Sequence, residues 1–377
     1  MAKEFRVTPW EVRGNVDYDK LVRQFGTQHI TAEQAREIEE LAGQRSRFLD
    51  RKIFFSQRGL SEFIEAHRKG KRVALYTGRG PSGGTHLGHL MPYYFTKYLQ
   101  DAFGCDVYYQ LTDDEKYLFK DNLSREDTAK YSLENALDFL AAGFDPARTH
   151  VIINTKAANV LYPLALDVAK RVTYSTAKAV FGFDDSTNIG SIFFTAMQSA
   201  PAFLPTVLAR EKNKKAPPVP VLIPCAIDQD PHFRVTRDVA EKLDYPKPSL
   251  IHAKFLPALK GGEKMSASDD STSIYVTDTP KQVAKKVGGA FTGGQATVEE
   301  QRAKGGNPDV CSVCAYLSYF FEPDNEKLTE RLDAYRRGEL LDGENKAYLT
   351  DKINSFLKEH NERKEKARKT LEKTLLC

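Results

Sequence analysis

Short apolar segments alternate with helical segments along most of this chain. The first apolar segment, 73–77, precedes a glycine-rich turn at 78–84 and a helical segment at 92–99. Because strands separated by helices pair in parallel, this order predicts an α/β fold built on a Rossmann-type, mostly parallel sheet. Further apolar segments, each long enough for one buried strand, lie at 107–111, 150–154, 219–223 and 250–253.

The chain divides into three predicted parts. Residues 1–70 are polar and form an N-terminal extension, residues 71–276 contain the sheet, and residues 277–377 are helical in pattern. A helical insertion interrupts the sheet at about 124–208. Helix boundaries are predicted from a capping box at Thr31 with an end near Gly43, from a capping box at Ser124 with an end at Gly143, from Thr279 and Pro280 at a helix start, and from an apolar helix at about 192–208.

Composition restricts the class of protein but not its partner. The 55 basic residues nearly balance the 51 acidic ones, so the net charge of +4 permits an anionic partner such as RNA without requiring one. No apolar run approaches the roughly 18 residues of a membrane span, and no apolar signal segment stands at the start. An odd count of five cysteines indicates free thiols. We therefore expect a cytosolic protein with no membrane partner.

Two histidines follow the glycine-rich turn. His86 and His89 can donate ring N–H groups to phosphate oxygens, the glycines let the backbone approach a nucleotide, and the next helix presents its N-terminus to an anion. This arrangement predicts a site for the phosphates of a nucleotide. Two alternatives remain from the residues alone: a zinc site, which has no neighbouring Cys, Asp or Glu ligand, and a purely structural turn.

Two more polar motifs lie downstream. The segment 226–231, Ala-Ile-Asp-Gln-Asp-Pro, directly follows an apolar strand, where charged residues predict a binding surface at the carboxyl edge of the sheet. Lys264 begins the sequence Lys-Met-Ser-Ala-Ser in a polar loop, where an isolated lysine is ordinarily a solvated charge.

Together these motifs resemble the ATP-handling signatures of class I aminoacyl-tRNA synthetases. Their order is similar to that in tryptophanyl-tRNA synthetases of the eukaryotic and archaeal cytoplasmic type, and Ala267 stands where many class I enzymes have lysine, as it does in that type. The resemblance extends from residues 8–10 through the C-terminal helices. It implies a catalytic domain at 71–276 with a dimer-forming insertion, an anticodon-binding domain at 277–377, and an extension at 1–70 that packs near the active site.

The resemblance also implies an activity and its partners. Tryptophan would attack the α-phosphate of ATP, with Mg²⁺ partly neutralising the phosphates, and the adenylate would then pass to the 2′-hydroxyl of the terminal adenosine of tRNA(Trp). The implied enzyme is a homodimer, and no protein-bound zinc or other metal is expected. Two rivals are a tyrosyl-tRNA synthetase and a non-catalytic RNA-binding or signalling paralogue, although such a paralogue is expected to lose the histidines or the lysine loop.

One set of residues is implied to handle ATP. The lysine would meet the leaving pyrophosphate, and the serines of its loop would add hydroxyl donors. The implied catalytic residues are His86, His89, Lys264, Ser266 and Ser268, and the implied ATP-binding residues are Thr77, Gly78, Arg79, Gly80, His86, Gly88, His89, Ala226, Asp228, Lys264, Met265 and Ser266.

A second set is implied to bind tryptophan. An indole has an apolar face and one N–H donor, so a selective pocket needs aromatic side chains and one acceptor. By resemblance, Tyr76 and Gln110 read the indole N–H, and Glu115, Gln198 and Gln229 hold the ammonium and carboxylate. On the residues alone, the acids around Glu115 also fit a helix N-terminus, and Gln198 also fits a buried amide.

Two further patterns carry less information. Cys311 and Cys314 have the spacing of a metal or redox pair, but no second cysteine pair accompanies them, so we expect small core thiols. Residues 359–373 alternate acids and bases at i,i+4 spacing, which predicts a solvated helix; a contact of its excess base with tRNA is the less favoured alternative.

Overall fold

The computed structural model describes residues 6–7, 12–13, 16–261 and 272–376. The predicted motif from Lys264 to Ser268 and the matched residues 8–10 lie outside these ranges. The strands of the described residues are β1 (Arg6–Val7), β2 (Val12–Arg13), β3 (Gln28–His29), β4 (Phe54–Arg58), β5 (Ala74–Arg79), β6 (Asp106–Leu111), β7 (Thr149–Ile153), β8 (Val221–Ala226), β9 (Ser249–Ala253) and β10 (Leu375–Leu376).

Helices follow the strands in the predicted alternation. The predicted capping boxes at Thr31 and Ser124 are present, and a helix starts at Pro280 as predicted, with Thr279 as its cap. The helices are α1 (Tyr18–Phe25), α2 (Ala32–Ala42), α3 (Arg47–Asp50), α4 (Leu60–Arg68), α5 (Leu87–Phe103), α6 (Asp113–Phe119), α7 (Arg125–Leu140), α8 (Ala158–Ala169), α9 (Tyr174–Phe181), α10 (Ile189–Met197), α11 (Leu204–Lys212), α12 (Asp230–Ala240), α13 (Pro280–Gly288), α14 (Val298–Lys304), α15 (Ser312–Tyr316), α16 (Asn325–Arg336), α17 (Asp342–Ala367) and α18 (Leu371–Thr374).

The described residues form one large sheet in the order β10-β7-β6-β5-β8-β9-β4-β3. Strands β5 to β9 pair in parallel, which confirms the Rossmann-type, mostly parallel prediction, and all five predicted strands occur close to their predicted positions. The antiparallel strands β4 and β3 add one edge, and β10 adds the other in parallel.

The two central strands of the sheet separate at their carboxyl ends. Strands β5 and β8 pair only at Ala74 with Val221 and at Leu75 with Leu222. Pro224 has no amide N–H to continue the pairing, and its carbonyl instead accepts a 2.9 Å hydrogen bond from the Thr77 hydroxyl. The divergence leaves space at the carboxyl edge of the sheet, where open α/β folds bind ligands.

Strands β1 to β4 and β10 were not predicted from the sequence. Strand β4 lies in the supposed N-terminal extension, so residues 1–70 contribute directly to the sheet. Its second half is polar, and the partners of these residues are distant in sequence: buried Ser56 shares a 2.9 Å hydrogen bond with His252 Nδ1 on β9. Strand β10 has only two residues and pairs with Val151 and Ile152.

The prediction of one apolar helix over about 192–208 is wrong. The structure divides it into α10, a 3₁₀ turn at Ala200–Ala202 and α11, because Pro201 and Pro205 lack the N–H groups that a continuous helix needs. Among the described residues, no single helix is long and apolar enough to cross a membrane, and one bent pair, Ile189–Ala202 with Leu204–Lys212, passes that test jointly.

Two apolar layers cover the sheet. One face, with Leu75 and Val107, shares its buried cluster with α5, α7 and the C-terminal helices, including Leu357 of α17. The other face, with Tyr76 and Ile152, packs against α8, α10 and α12. Cys311 and Cys314 are free thiols buried in the first cluster, as predicted.

The segment 359–373 differs from the predicted solvated helix. Helix α17 ends at Ala367, and its side chains His360 and Lys364 are buried. The reason lies in α7, where Glu134 and Asp138 lie 3.0 Å and 2.7 Å from Lys364 Nζ.

Candidate active site

A cavity of about 560 Å³ occupies the gap between β5 and β8. Its floor is the separated strand ends, and its sides come from the glycine-rich turn and from α5, α6, α10 and α12. Among the predicted site residues, those that line it are Thr77, Gly78, Arg79, Gly80, Gly88, His89, Glu115, Gln198, Ala226, Asp228 and Gln229. The predicted ATP and tryptophan residues therefore surround one shared space.

Three predicted residues lie behind the cavity lining. Tyr76, Gln110 and His86 are buried and do not border the space. The structure gives no position for the residues from Lys264 to Ser268, so their assignment stays a prediction from sequence.

Tyr76 and Gln110 form a buried hydrogen-bonded pair. The Tyr76 hydroxyl donates to Gln110 Oε1 at 2.5 Å and lies 3.2 Å from the carbonyl oxygen of Gln198. Gln110 Nε2 donates to Asn154 Oδ1 at 2.9 Å, and Asn154 Nδ2 donates to Asp114 Oδ1 at 2.8 Å. The network fixes the Gln110 amide with its oxygen toward Tyr76, so that both groups keep lone pairs for an N–H donor.

The two histidines lie together at the start of α5. The backbone N–H of His86 donates to His89 Nδ1 at 3.3 Å, and the ring centroids are 3.6 Å apart. This contact places the proton of a neutral His89 ring on Nε2, where it can donate to a phosphate oxygen. Within the described residues, no group of three or more His, Cys, Asp or Glu side chains is arranged to hold a metal ion.

Arg79 holds the glycine-rich turn from within. Its guanidinium donates to the Thr85 hydroxyl at 2.6 Å and to the carbonyl oxygens of Gly84 and Gly83 at 2.7 Å and 3.2 Å. Arg79 is only 8% exposed, although it borders the cavity. Its side chain therefore shapes the turn that the sequence analysis assigned to phosphate binding.

Glu115 and Lys116 form an ion pair in the cavity lining. Glu115 accepts hydrogen bonds from Thr112 and Lys116, each at 2.5 Å. A Cβ on Gly80 would lie 1.8 Å from Lys116 Cε, so the glycine is what allows this lysine to lie across the turn.

The residues of segment 226–231 do not all face the cavity. Asp228 and Gln229 border the cavity, but Asp230 is completely buried and forms two hydrogen bonds with Arg58, at 2.7 Å and 2.9 Å. His252 Nε2 lies 3.3 Å from the same carboxylate. Burial raises the pKa of Asp230, but His252 and Arg58 outweigh it and hold that pKa below its usual range. The expectation that the whole block faces the ligands is therefore wrong for Asp230, which anchors α12 to β4.

Sequence reasoning missed three lysine and histidine side chains of the cavity, Lys116, Lys120 and His232. Burial lowers the pKa of His232 to about 4, so this ring is neutral at physiological pH. The sequence did hold a signal for His232, which lies two residues after Asp230 and on the same helix turn as Phe233. It held one for Lys116 as well, because this lysine directly follows three acids at the start of α6.

Asp114, at the end of the Gln110 network, gives the site a testable pH dependence. Burial raises the pKa of its carboxyl from 3.8 to about 7, although hydrogen bonds from Asn154 and the Glu115 N–H lower it. The folded state then binds a proton that the unfolded state releases, so this contribution to stability is complete below about pH 4 and lost as pH rises through 7. We expect wild type to lose melting temperature relative to Asp114→Asn between pH 4 and 8. If the melting temperatures of the two proteins changed with pH in parallel, the raised pKa of Asp114 would be contradicted.

Comparison with known families decides the class of this site. A family model described as tRNA synthetases class I (W and Y) matches residues 68–358, which include every described strand that borders the cavity. This chain belongs to the class I tRNA synthetases. Enzymes of this class use ATP as a substrate, in agreement with a cavity that joins a glycine-rich turn to the N-terminus of a helix.

Relatives of this synthetase span almost its full length. The tryptophan–tRNA ligase of Pyrobaculum arsenaticum is 49% identical over 368 residues, which cover 98% of this chain and 96% of the relative. That of Pyrococcus furiosus is 48% identical over 376 residues, which cover 99% and 94%.

Solved structures agree with this synthetase in fold. The tryptophanyl-tRNA synthetase of Plasmodium falciparum shares 38% identity and a TM-score of 0.88, over 95% of this chain and 97% of that one. The enzyme of Giardia lamblia shares 37% identity and a TM-score of 0.89, over 96% of each chain.

Proposed function

We propose that this synthetase is a tryptophan–tRNA ligase, which activates tryptophan with ATP and charges tRNA(Trp). The observation that carries the proposal is the near-complete length over which archaeal tryptophan–tRNA ligases match this chain at about 48–49% identity. These relatives favour tryptophan over tyrosine, and the retained histidine pair argues against a non-catalytic paralogue. The proposed location is the cytoplasm, where tRNA is charged for translation.

ATP binds, in this proposal, along the turn at 78–80 and the start of α5. Backbone at the glycines approaches the phosphates, and His89 donates from Nε2. ATP arrives as its magnesium complex. Lys264, Ser266 and Ser268 are assigned to the leaving pyrophosphate by resemblance alone.

The indole of tryptophan binds beside Phe194 and Phe233, which line the cavity next to Gln198. Tyr76 packs edge to face on Phe233, with ring centroids 5.8 Å apart, and its hydroxyl and Gln110 lie directly behind Gln198. Neither residue borders the cavity, so resemblance alone assigns a lone pair on one of these two oxygens to the indole N–H. Glu115 and Gln229 also line the cavity, and their polar groups are suited to hold the ammonium and carboxylate of the amino acid.

The chemistry then proceeds in two transfers. A carboxylate oxygen of tryptophan attacks the α-phosphorus of ATP, the bond to the β-phosphate breaks, and pyrophosphate leaves. The 2′-hydroxyl of the tRNA terminal adenosine attacks the carbonyl carbon of the adenylate and AMP leaves. No enzyme nucleophile is needed, so the protein contributes positioning and stabilisation of charge on phosphate oxygens.

Amino-acid recognition depends on the Tyr76–Gln110 pair. We expect Tyr76→Phe to raise the KM for tryptophan about 5- to 150-fold, because an unpaired buried polar group costs about 1–3 kcal/mol and each 1.4 kcal/mol is tenfold. Gln110→Ala should have an effect of the same order. Tyr108→Phe is the matched control, since Tyr108 is buried on the adjacent strand and stacks on His150, with ring centroids 4.7 Å apart, outside the Tyr76–Gln110–Asn154 network. An unchanged KM in both pocket variants would refute this recognition.

Exposed apolar residues of the insertion support the proposed homodimer. Tyr162 and Leu166 on α8 are 51% and 47% exposed, and Ile189 at the start of α10 is 86% exposed. Apolar exposure of this kind, rimmed by polar residues, is typical of a protein interface.

Residues 277–377 are proposed to bind the anticodon, and residues 1–70 to pack near the active site. Support for an N-terminal segment near the active site comes from α1, whose Leu21 and Val22 pack against Ile227, the residue before cavity-lining Asp228.

Charging of tRNA tests the complete function. Purified protein should attach tryptophan, and not tyrosine, to the tRNA(Trp) fraction of an archaeal tRNA pool in the presence of ATP and Mg²⁺. Preferential attachment of tyrosine would overturn the proposal.

A further inference from the structure

Helix α17 is linked by hydrogen bonds to the histidine turn, the backbone at Thr85–Leu87 that carries His86. Asn361 of α17 donates from Nδ2 to the carbonyl oxygen of Val276 at 3.0 Å. The Val276 N–H in turn donates to the Thr85 carbonyl at 2.9 Å, and the Leu87 N–H donates to the Ile274 carbonyl at 3.0 Å. Residues 274–276 are thus held between α17 on one side and the backbone around His86 on the other.

A second connection runs through a buried carboxylate. Asp138 on α7 is 1% exposed and lies 2.7 Å from Nζ of Lys364 on α17. Burial raises the pKa of Asp138, but His360, Lys364 and the Thr85 hydroxyl hold that pKa below its usual range, and the same hydroxyl accepts from Arg79 NH1 at 2.6 Å. Helix α17 therefore reaches the glycine-rich turn through Lys364, Asp138 and Thr85 in succession.

Stability alone is a poor reason for this arrangement. Burying two charged groups costs desolvation energy that their attraction does not reliably repay, and apolar side chains of similar volume often do as well. Both connections end at Thr85, the residue directly before His86, and a displacement of about 1 Å at a reacting group can cost about 100-fold in rate.

We propose that Asp138, Lys364 and Asn361 are positioning residues for ATP: they fix Thr85 and residues 274–276, and so set the place of the histidine turn relative to the nucleotide. The proposal rests on the proposed ATP site. None of the three residues borders the cavity, so they act through Thr85 and Val276 and not by touching the substrate.

The test compares variants in amino-acid-dependent ATP–pyrophosphate exchange. Lys364→Met keeps the length of the side chain but removes its charge from Asp138. We expect kcat/KM for ATP to fall about tenfold, with the KM for tryptophan unchanged within twofold. Glu134→Gln is the matched control, because Glu134 pairs with the same lysine and is 43% exposed, and it should leave both parameters unchanged.

A second variant, Asn361→Ala, tests the proposal even if Lys364→Met fails to fold. Residue 361 is exposed, so its loss removes one hydrogen bond without opening a cavity. We expect a several-fold fall in kcat/KM for ATP, together with faster hydrogen exchange at the Val276 and Leu87 amides, while Glu362→Ala changes neither.

Unchanged ATP kinetics and unchanged exchange at those amides in the folded variants, with only the melting temperature lowered, would overturn the proposal. Hydrogen exchange also distinguishes a failure of the positioning proposal from a failure of the proposed function. A wild-type protein that is inactive with tryptophan would refute the function, whereas unaltered protection of Val276 in Asn361→Ala would refute the positioning.

Discussion

Substitution of Lys264 by alanine is expected to lower the single-turnover rate of tryptophanyl-adenylate formation by about 10²- to 10³-fold, the typical cost of removing one preorganised donor from a developing charge. A lysine that meets pyrophosphate as negative charge moves onto it stabilises the transition state more than bound ATP. Tryptophan affinity should change little, because the Tyr76 and Gln110 contacts form a separate network.

A second lysine serves as the control for this experiment. Lys281 is exposed near the start of α13, and Lys281→Ala should leave the rate unchanged. Rapid-quench measurement of adenylate with saturating ATP and tryptophan supplies the rate. A Lys264→Ala rate within threefold of wild type would mean that the loop has no catalytic role.

The largest expected effect on stability lies at the Arg58–Asp230 ion pair. Asp230→Ala leaves Arg58, whose side chain is 17% exposed, and buried His252 without their carboxylate partner. Removal of one partner from a buried pair typically costs about 3–5 kcal/mol, and we expect a loss of that size in the free energy of unfolding. Urea denaturation measures it.

An exposed pair provides the comparison. Asp185 is 95% exposed and lies 3.2 Å from Lys178, so Asp185→Ala should cost less than about 1 kcal/mol. If Asp230→Ala kept wild-type stability but lost ATP binding, Asp230 would be a ligand-facing residue after all, as the sequence alone suggested.

The sequence predicted the parts of this fold that depend on local pattern. The five parallel strands, the capped helices and a ligand space at the carboxyl edge of the sheet all follow from apolar periodicity, glycine and caps. The break between α10 and α11 was available too, since Pro201 and Pro205 are visible in the sequence.

Other features depend on partners that are distant along the chain. Polar Ser56 can be buried in β4 because His252 is its hydrogen-bond partner, and Asp230 faces inward because Arg58 reaches it. Lys364 looks solvated until Asp138 is placed beside it. In each case a charged or polar side chain has its orientation set by tertiary contact, which no local pattern specifies. The same limit applies to Tyr76 and Gln110, which the sequence places beside the cavity and the structure places behind its lining.

Amino-acid-dependent ATP–pyrophosphate exchange tests the central claim most directly, because it isolates activation from every contact with tRNA. Wild-type protein with ATP, Mg²⁺ and labelled pyrophosphate should incorporate label into ATP when tryptophan is added, and only at background level with tyrosine. Exchange driven by tyrosine, or none with any amino acid while the protein remains folded, would contradict the account.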